Sequence, residues 1–234
     1  MYTFVQPLTD VLAHVMSLIY GWTQDWGAAL ILLTFGVRLL LIRFNLNAAR
    51  QQVRTAAAQP ELAKLREKHG KDLPQLVRHT ADVNRAYGIR PFAPFAAALV
   101  QAPLLMAMYG LFLTHGSTMT TFLLPWMASL GVADPLHLLP LAAGLLSAAA
   151  GLLPMAEAPV LGSMAPGMGS RVFLGLLLLL VPLAVTWAAP AAVGLYWAAG
   201  SAFGLLERLF YRTPPGRRLV RRGLPEAAVG GASG

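Results

Sequence analysis

The chain has 234 residues, 56% of them hydrophobic and only 12% charged, with a formal net charge of +8 and no cysteine. So apolar a composition excludes an ordinary soluble domain and marks an integral membrane protein. With no cysteine in these residues, no disulfide framework, thiolate nucleophile, cysteine zinc site or lipoprotein acylation is expected of them.

Residues 1–20, MYTFVQPLTDVLAHVMSLIY, are apolar but carry Pro7, Asp10 and His14 and have no positive segment before them. They predict a helix lying in the outer interface rather than a cleavable signal peptide. Trp22 and Trp26 mark the aromatic belt at which a first span begins. Apolar windows of about 20 residues, the length that crosses a hydrocarbon core, fall near 27–45, 92–113, 136–153, 172–188 and 190–207.

The placement of charge orients these spans. Of the 18 Lys and Arg residues, ten lie between Arg43 and Arg90 and six between Arg208 and Arg222, whereas the first 37 residues and the segment His115–Pro135 have none. Positive charge is retained on the cytoplasmic side, so the N-terminus is expected outside and the C-terminus inside. Five spans is the odd number this requires, and Arg171 then falls on an inner loop. The expected organisation is an outer interfacial amphipathic helix over 1–21 and a first transmembrane helix over 22–46. A cytoplasmic helical hairpin follows over 47–90, then transmembrane helices two to five over 91–207 and a basic, partly disordered cytoplasmic tail over 208–234.

In the hairpin, Pro60 is expected to interrupt the first helix and Gly70 to end it, with Asp72 capping the second and Pro74 in its first turn. Leu76, Thr80, Val83 and Tyr87 form a mostly apolar stripe, and Gly88 closes the helix. The apolar residues look too few for a core, which points outward to lipid headgroups or a partner. Its basic residues read first as topogenic charge and a solvated face, and second as a docking surface for anionic lipid or ribosomal RNA.

Arg38 interrupts the first span. It lies 12 residues beyond Trp26, about 18 Å inward at 1.5 Å per residue. An arginine at that depth costs about 2.5–3.5 kcal/mol on insertion scales. No acidic residue lies within any span core, Glu207 being at the very end of the last. Depth alone leaves two arrangements open: snorkelling to the inner headgroups, or hydration in a cavity open to the cytoplasm.

Five segments together resemble the YidC-type insertases of the YidC/Oxa/Alb family. They are GWTQDWGAALILLTFGVRLLL, QPELAKLREKHGKD, YGIRPFAPFAAALVQAPLLMAMYGLF, ADPLHLLPLAAG and PAAVGLYWAAGSAFGLLERLFYR, in order between Phe4 and Arg212. The resemblance implies an all-α fold: a bundle of five transmembrane helices around a hydrophilic groove closed to the outside and open to cytoplasm and lipid, plus the cytoplasmic hairpin. It places Arg38 in that groove and carries over to Gln101 of the QAP motif and Trp197 of LYW. Thr34 and Tyr109 are added from position and polarity. For Gln101 an interhelical hydrogen bond is an equal alternative, and for Trp197 taken alone interfacial anchoring is the default. Met106, Met108 and Phe203 are expected on the surfaces along which a client's apolar segment slides into lipid.

The implied function is insertion and folding of newly made membrane proteins in the bacterial inner membrane. A hydrated groove shortens the apolar barrier to a translocated tail, and a fixed positive charge attracts acidic residues in it. The implied partners are nascent membrane-protein clients and the bilayer, with the ribosome, through hairpin and tail, and a secretion channel as further candidates. No cofactor, metal or covalent chemistry is expected: the five histidines are scattered, and no nucleotide loop, HExxH or GxSxG motif occurs. The rival class is a small anion or proton-coupled transporter using Arg38, although neither internal repeats nor matched broken helices are present. A scramblase-like protein with a hydrated groove is a third. GSAFG at 200–204 reads as a close-packing pattern. Where family members commonly have a proline soon after the arginine, this chain has IRFNLN, so the first span is expected to run more smoothly into the hairpin. The chain resembles the short, core-only form.

Overall fold

The computed structural model describes residues 6–70, 72–90, 93–153 and 168–222, with the side chains of 93–101 and 168–171 outside the description. Nine α-helices form among the described residues: α1 (Gln6–Thr23), α2 (Trp26–Leu40), α3 (Ile42–His69), α4 (Leu73–Ala86), α5 (Ala93–His115), α6 (Leu138–Leu152), α7 (Met168–Thr186), α8 (Ala191–Tyr211) and α9 (Pro214–Arg221). No strand occurs among them. Helices α2, α5, α6, α7 and α8 lie over the five apolar windows. No single described helix is both long and apolar enough to cross a membrane; α2 and α3, bent by 60° at the break at Leu41, together meet that test by length and composition only. Most of the 154–170 loop and the end AAVGGASG fall outside the described residues.

The helices sort into two compact units. The first holds α1, α2, α6 and most of α5, α7 and α8. Its ends are organised by the connection between α5 and α6. Asp25, in extended conformation, caps α2 by accepting from Ala28 N–H at 2.7 Å, and the same carboxylate accepts from the Thr121 hydroxyl at 2.9 Å and Phe122 N–H at 2.6 Å. Asp134, buried, accepts from the Trp126 indole at 3.0 Å, Leu136 N–H at 3.0 Å and Leu139 N–H at 2.8 Å, which starts α6. Backbone bonds run on from Trp26 N–H to the Thr120 carbonyl, from Leu130 N–H to that of Met119, and from Ala192 N–H to that of Leu130. Where the connection folds back, a Cβ on Gly116 would lie 2.7 Å from the Gly131 Cα, so two bare backbones meet there.

The starts of α2, α6 and α8 therefore share one end of this unit with the finish of α5. Along α6, Gly144 meets the Leu179 carbonyl and Leu152 meets Gly175, so α7 runs opposite to α6; Gly194 meets Leu139 and Ser201 bonds Ser147, so α8 runs with it. Helix direction alternates along the chain as five successive crossings would require. The core between them is made by Met16, Leu30, Leu33, Leu111, Phe112 and Leu130, among others. Beside the packed row of α1, Val11, Val15, Leu18 and Trp22 recur at spacings of four, three and four and stay exposed.

The second unit holds α3, α4, α9 and the last turn of α8. Three expectations change here. The first span does not continue smoothly: helix α2 stops at Leu41, whose N–H still bonds the Val37 carbonyl at 3.1 Å, and α3 starts afresh at Ile42. No proline or glycine stands in LLLIRF, and nothing local accounts for the break. Pro60 does not interrupt the hairpin's first helix, which runs unbroken from Ile42 to His69. The hairpin also has a small core of its own, Ala58, Leu62 and Val83 with Leu65, Tyr87 and Ile89 packed on it. Two residues of the predicted stripe, Val83 and Tyr87, supply part of that core. At the turn, a Cβ on Gly70 would lie 2.5 Å from the Arg66 carbonyl, and Asp72 accepts from Gln75 N–H at 3.2 Å.

The first part of the basic tail is folded. Thr213 caps α9, and Val220, 1% exposed, packs with Ala49, Val53 and Tyr211 while Arg50 donates to the Leu219 carbonyl at 3.1 Å. Val220→Asp places a charge in that contact, which costs about 2–4 kcal/mol and exceeds what so short a helix contributes by itself. The expected result is rapid tryptic cleavage at Arg217 and Arg218 with α1–α8 still protected; an unchanged digestion pattern would show that α9 does not depend on this packing.

Candidate functional site

The site is built on α2 and α8. Thr34 and Arg38 stand one turn apart on α2, and Trp197, Gly200 and Gly204 follow one another at spacings of three and four on α8. The Arg38 guanidinium lies on Gly200: a Cβ placed there would be 2.9 Å from Nη2, 3.6 Å from Cζ and 3.6 Å from Nε. One turn before Arg38 on α2 and one turn after Gly200 on α8, Phe35 meets Phe203 edge-on with ring centroids 5.3 Å apart. Among the described residues no carboxylate reaches within 4.0 Å of Arg38 and no hydrogen bond is made to it.

Arg38 is 12 residues into α2 counted from Trp26, and Gly200 nine into α8 counted from Ala191, so their Cα atoms lie about 18 Å and about 13 Å along their helices. The two helix starts are linked through the Thr120, Met119 and Leu130 backbones.

The structure treats the other expected residues unequally. Trp197 is half-buried on α8, one turn before Gly200. Thr34 is buried, and its hydroxyl donates to the Leu30 carbonyl at 2.7 Å. Tyr109 and Met106 are exposed on α5, whereas the Gln101 side chain lies outside the described residues. Met108 is 2% exposed in the core, which corrects the expectation of a client-facing surface there. Phe203 is engaged with Phe35. Gly200 and Gly204 do not bring two helix backbones together as the GSAFG pattern suggested: the first carries Arg38, and a Cβ on the second would meet nothing within 4 Å. Gly200 was missed because a glycine in an apolar helix has the same local signature whether it faces a helix, a side chain or lipid.

In the second unit the polar contacts concentrate at the base of the hairpin. Glu207, 8% exposed, accepts from Asn45 at 2.9 Å and from the Tyr211 hydroxyl at 2.7 Å. Burial, reinforced by that bond and by the Glu207 charge, pushes the Tyr211 phenol well above its ordinary range. Arg54 donates to the Gly88 carbonyl at 2.7 Å, and Gln51 accepts from Arg90 N–H at 2.8 Å, which ties the end of the hairpin to α3. Burial, with Arg90 and Arg50 nearby, lowers the affinity of Arg54 for its proton. Among the described residues no three His, Cys, Asp or Glu side chains are grouped to hold a metal ion.

Residues 18–215 match the family model described as 60Kd inner membrane protein. The chain belongs to this family. The 60Kd inner membrane protein match covers all five of the segments that carry the resemblance. Three similar relatives are each named membrane protein insertase YidC. That of Legionella pneumophila (strain Corby) is 26% identical over 203 residues, 87% of this chain and 35% of the relative. That of Coxiella burnetii (strain RSA 331 / Henzerling II) is 26% identical over 144 residues, and that of Nitrosospira multiformis 29% over 144, each covering 62% of this chain and 25% of the relative. This chain thus spans about a third or less of the length of the relatives it matches.

Proposed function

We propose that this chain is a membrane-protein insertase of the bacterial inner membrane, crossing it five times with the N-terminus outside and the C-terminus in the cytoplasm. The observation that carries the proposal is the Arg38 guanidinium held on α8 with no carboxylate partner among the described residues. A charge so placed between apolar helices is tolerable only if water or an anionic client group reaches it. It attracts the acidic tail of a nascent membrane protein into a groove on the cytoplasmic side, in surroundings of low dielectric. Trp197 and Gln101 line that groove, with Tyr109 at its edge, and Met106 and Phe203 lie where the client's apolar segment passes into lipid.

Two further features support a bilayer as the solvent. Val172, Phe173, Leu177, Leu180 and Val181 of α7 are all roughly half or more exposed, an apolar surface larger than water-soluble proteins keep. The name shared by the relatives gives the activity its class. Nascent clients and lipid are the partners of this reading. The ribosome, docking on the hairpin and on the exposed Arg218, Arg221 and Arg222, and a secretion channel complete it.

Water access at position 38 tests the proposal. In this cysteine-free chain, Arg38→Cys is expected to react with a membrane-impermeant thiol reagent from the cytoplasmic side alone. Leu33→Cys, buried in the core, and Leu32→Cys, 51% exposed but facing lipid on this reading, are expected to stay unlabelled. Labelling of Arg38→Cys from both sides would favour a transport pathway, and labelling from neither would remove the groove.

A further inference from the structure

Every charged group inside a membrane protein needs a surface that holds it, and the one Arg38 rests on is a glycine. We propose that Gly200 is the positioning residue of the groove: its bare backbone forms the seat on which the Arg38 guanidinium lies. The inference rests on the insertase reading above and adds to it the group that fixes where the charge stands.

Three observations meet at this point. First, three atoms of the guanidinium, Nη2, Cζ and Nε, all lie within 3.6 Å of where a Gly200 Cβ would be, so the planar group covers the glycine and any side chain there would occupy its place. Second, nothing else described restrains the charge. No carboxylate lies within 4.0 Å, and the nearest hydroxyl on its own helix face, that of Thr34, is already bonded to the Leu30 carbonyl. Third, the neighbouring glycine of the same face, Gly204, has open space where its Cβ would be. Small size at position 204 is therefore not demanded by packing, whereas at 200 the guanidinium demands it.

With Gly200 beneath it, the guanidinium lies against α8. A larger residue at 200 turns it away, toward the inner headgroups that a long side chain reaches from this depth. The charge is kept, but its place in the groove is lost. Because the atom in the way is the end of a flexible side chain, the helices need not shift, and the variant is expected to fold.

The test is a double-mutant cycle in proteoliposomes holding the full chain, with two clients that differ only in an acidic or an uncharged translocated tail. Gly200→Leu is expected to lower insertion of the acidic-tail client by about tenfold, the size of one charge-assisted interaction, with a smaller loss for Gly200→Ala. Insertion of the uncharged-tail client is expected to be unchanged, as is either client with Gly204→Ala. In an Arg38→Ala background, Gly200→Leu is expected to add nothing.

Full activity of Gly200→Leu beside a defective Arg38→Ala would overturn the seat and leave the insertase reading standing. A further loss in the Arg38→Ala background would overturn it as well, since Gly200 would then act by another route. An Arg38→Ala protein that inserts the acidic-tail client normally would sink the groove reading and the seat together. If Gly200→Leu does not purify as a folded protein, Gly200→Ala and Gly200→Val complete the same cycle.

Discussion

Arg38→Ala is expected to reduce insertion of a client with an acidic translocated tail by roughly 10- to 100-fold, the equivalent of about 1.5–3 kcal/mol for a charge-assisted contact. A strongly hydrophobic client with an uncharged tail is expected to lose little, because partitioning of its apolar segment drives it. Arg38 has no carboxylate partner among the described residues, so its removal strands no buried counter-charge there, and the folded protein is expected to survive. The measurement is the fraction of each client protected from protease in proteoliposomes of purified protein. Equal losses for the two clients would remove electrostatic attraction from the mechanism. Arg38→Lys separates charge from shape. Partial retention is expected, since an ammonium supplies the charge; complete loss would point to a need for the planar guanidinium that lies against Gly200.

The largest effect on stability is expected from Asp134→Ala. This carboxylate is 2% exposed and accepts three hydrogen bonds, from the Trp126 indole and from the Leu136 and Leu139 amides. Alanine leaves those donors buried and unpaired at a cost of about 2–4 kcal/mol, a fall in Tm of roughly 5–10 °C for a chain of this size. Asp134→Asn is expected to be intermediate. One amide oxygen still accepts from the indole and the Leu136 N–H, while its amino group faces the Leu139 N–H, a donor against a donor. Thermal unfolding in nanodiscs measures both variants, and an Asp134→Asn protein as stable as the parent would show that one oxygen suffices. The connection between α5 and α6 also carries the backbone bonds to the starts of α2 and α8, so its loosening is expected to slow insertion of every client alike. That uniform effect distinguishes it from Arg38→Ala.

The basic tail shows where local reading stops short. Its arginines were legible as charge, but Thr213, Pro214 and Pro215 also spell a helix start, and Val220 and Gly216 its packed face. The clue was present and weak, because an eight-residue helix has little stability until it meets Tyr211 and α3. Truncation at residue 208 would remove that packing together with the charge, so neutralising the exposed Arg218, Arg221 and Arg222 is the cleaner probe of a docking role. The hairpin makes the same point. Its stripe of Leu76, Thr80, Val83 and Tyr87 was visible in the four-three-four spacing, whereas its core was not, because Ala58 and Leu62 come from the other helix.

The sequence by itself determined the helical segments, the segregation of 16 of 18 basic residues into two stretches, the place of Arg38 within an apolar run and the family. Each of these is a one-dimensional quantity: a run of apolar residues, a count of charge, a spacing, a set of short motifs in order. Tertiary structure alone decided that the helix breaks at Leu41, that α9 folds onto α3, and that Asp25 and Asp134 hold the connection between α5 and α6. It alone placed Arg38 on Gly200, which is 162 residues further along the chain. The physical reason is that a guanidinium needs only a shallow surface from the helix opposite it, and a glycine that supplies one leaves no periodicity, charge or spacing by which its role could be read.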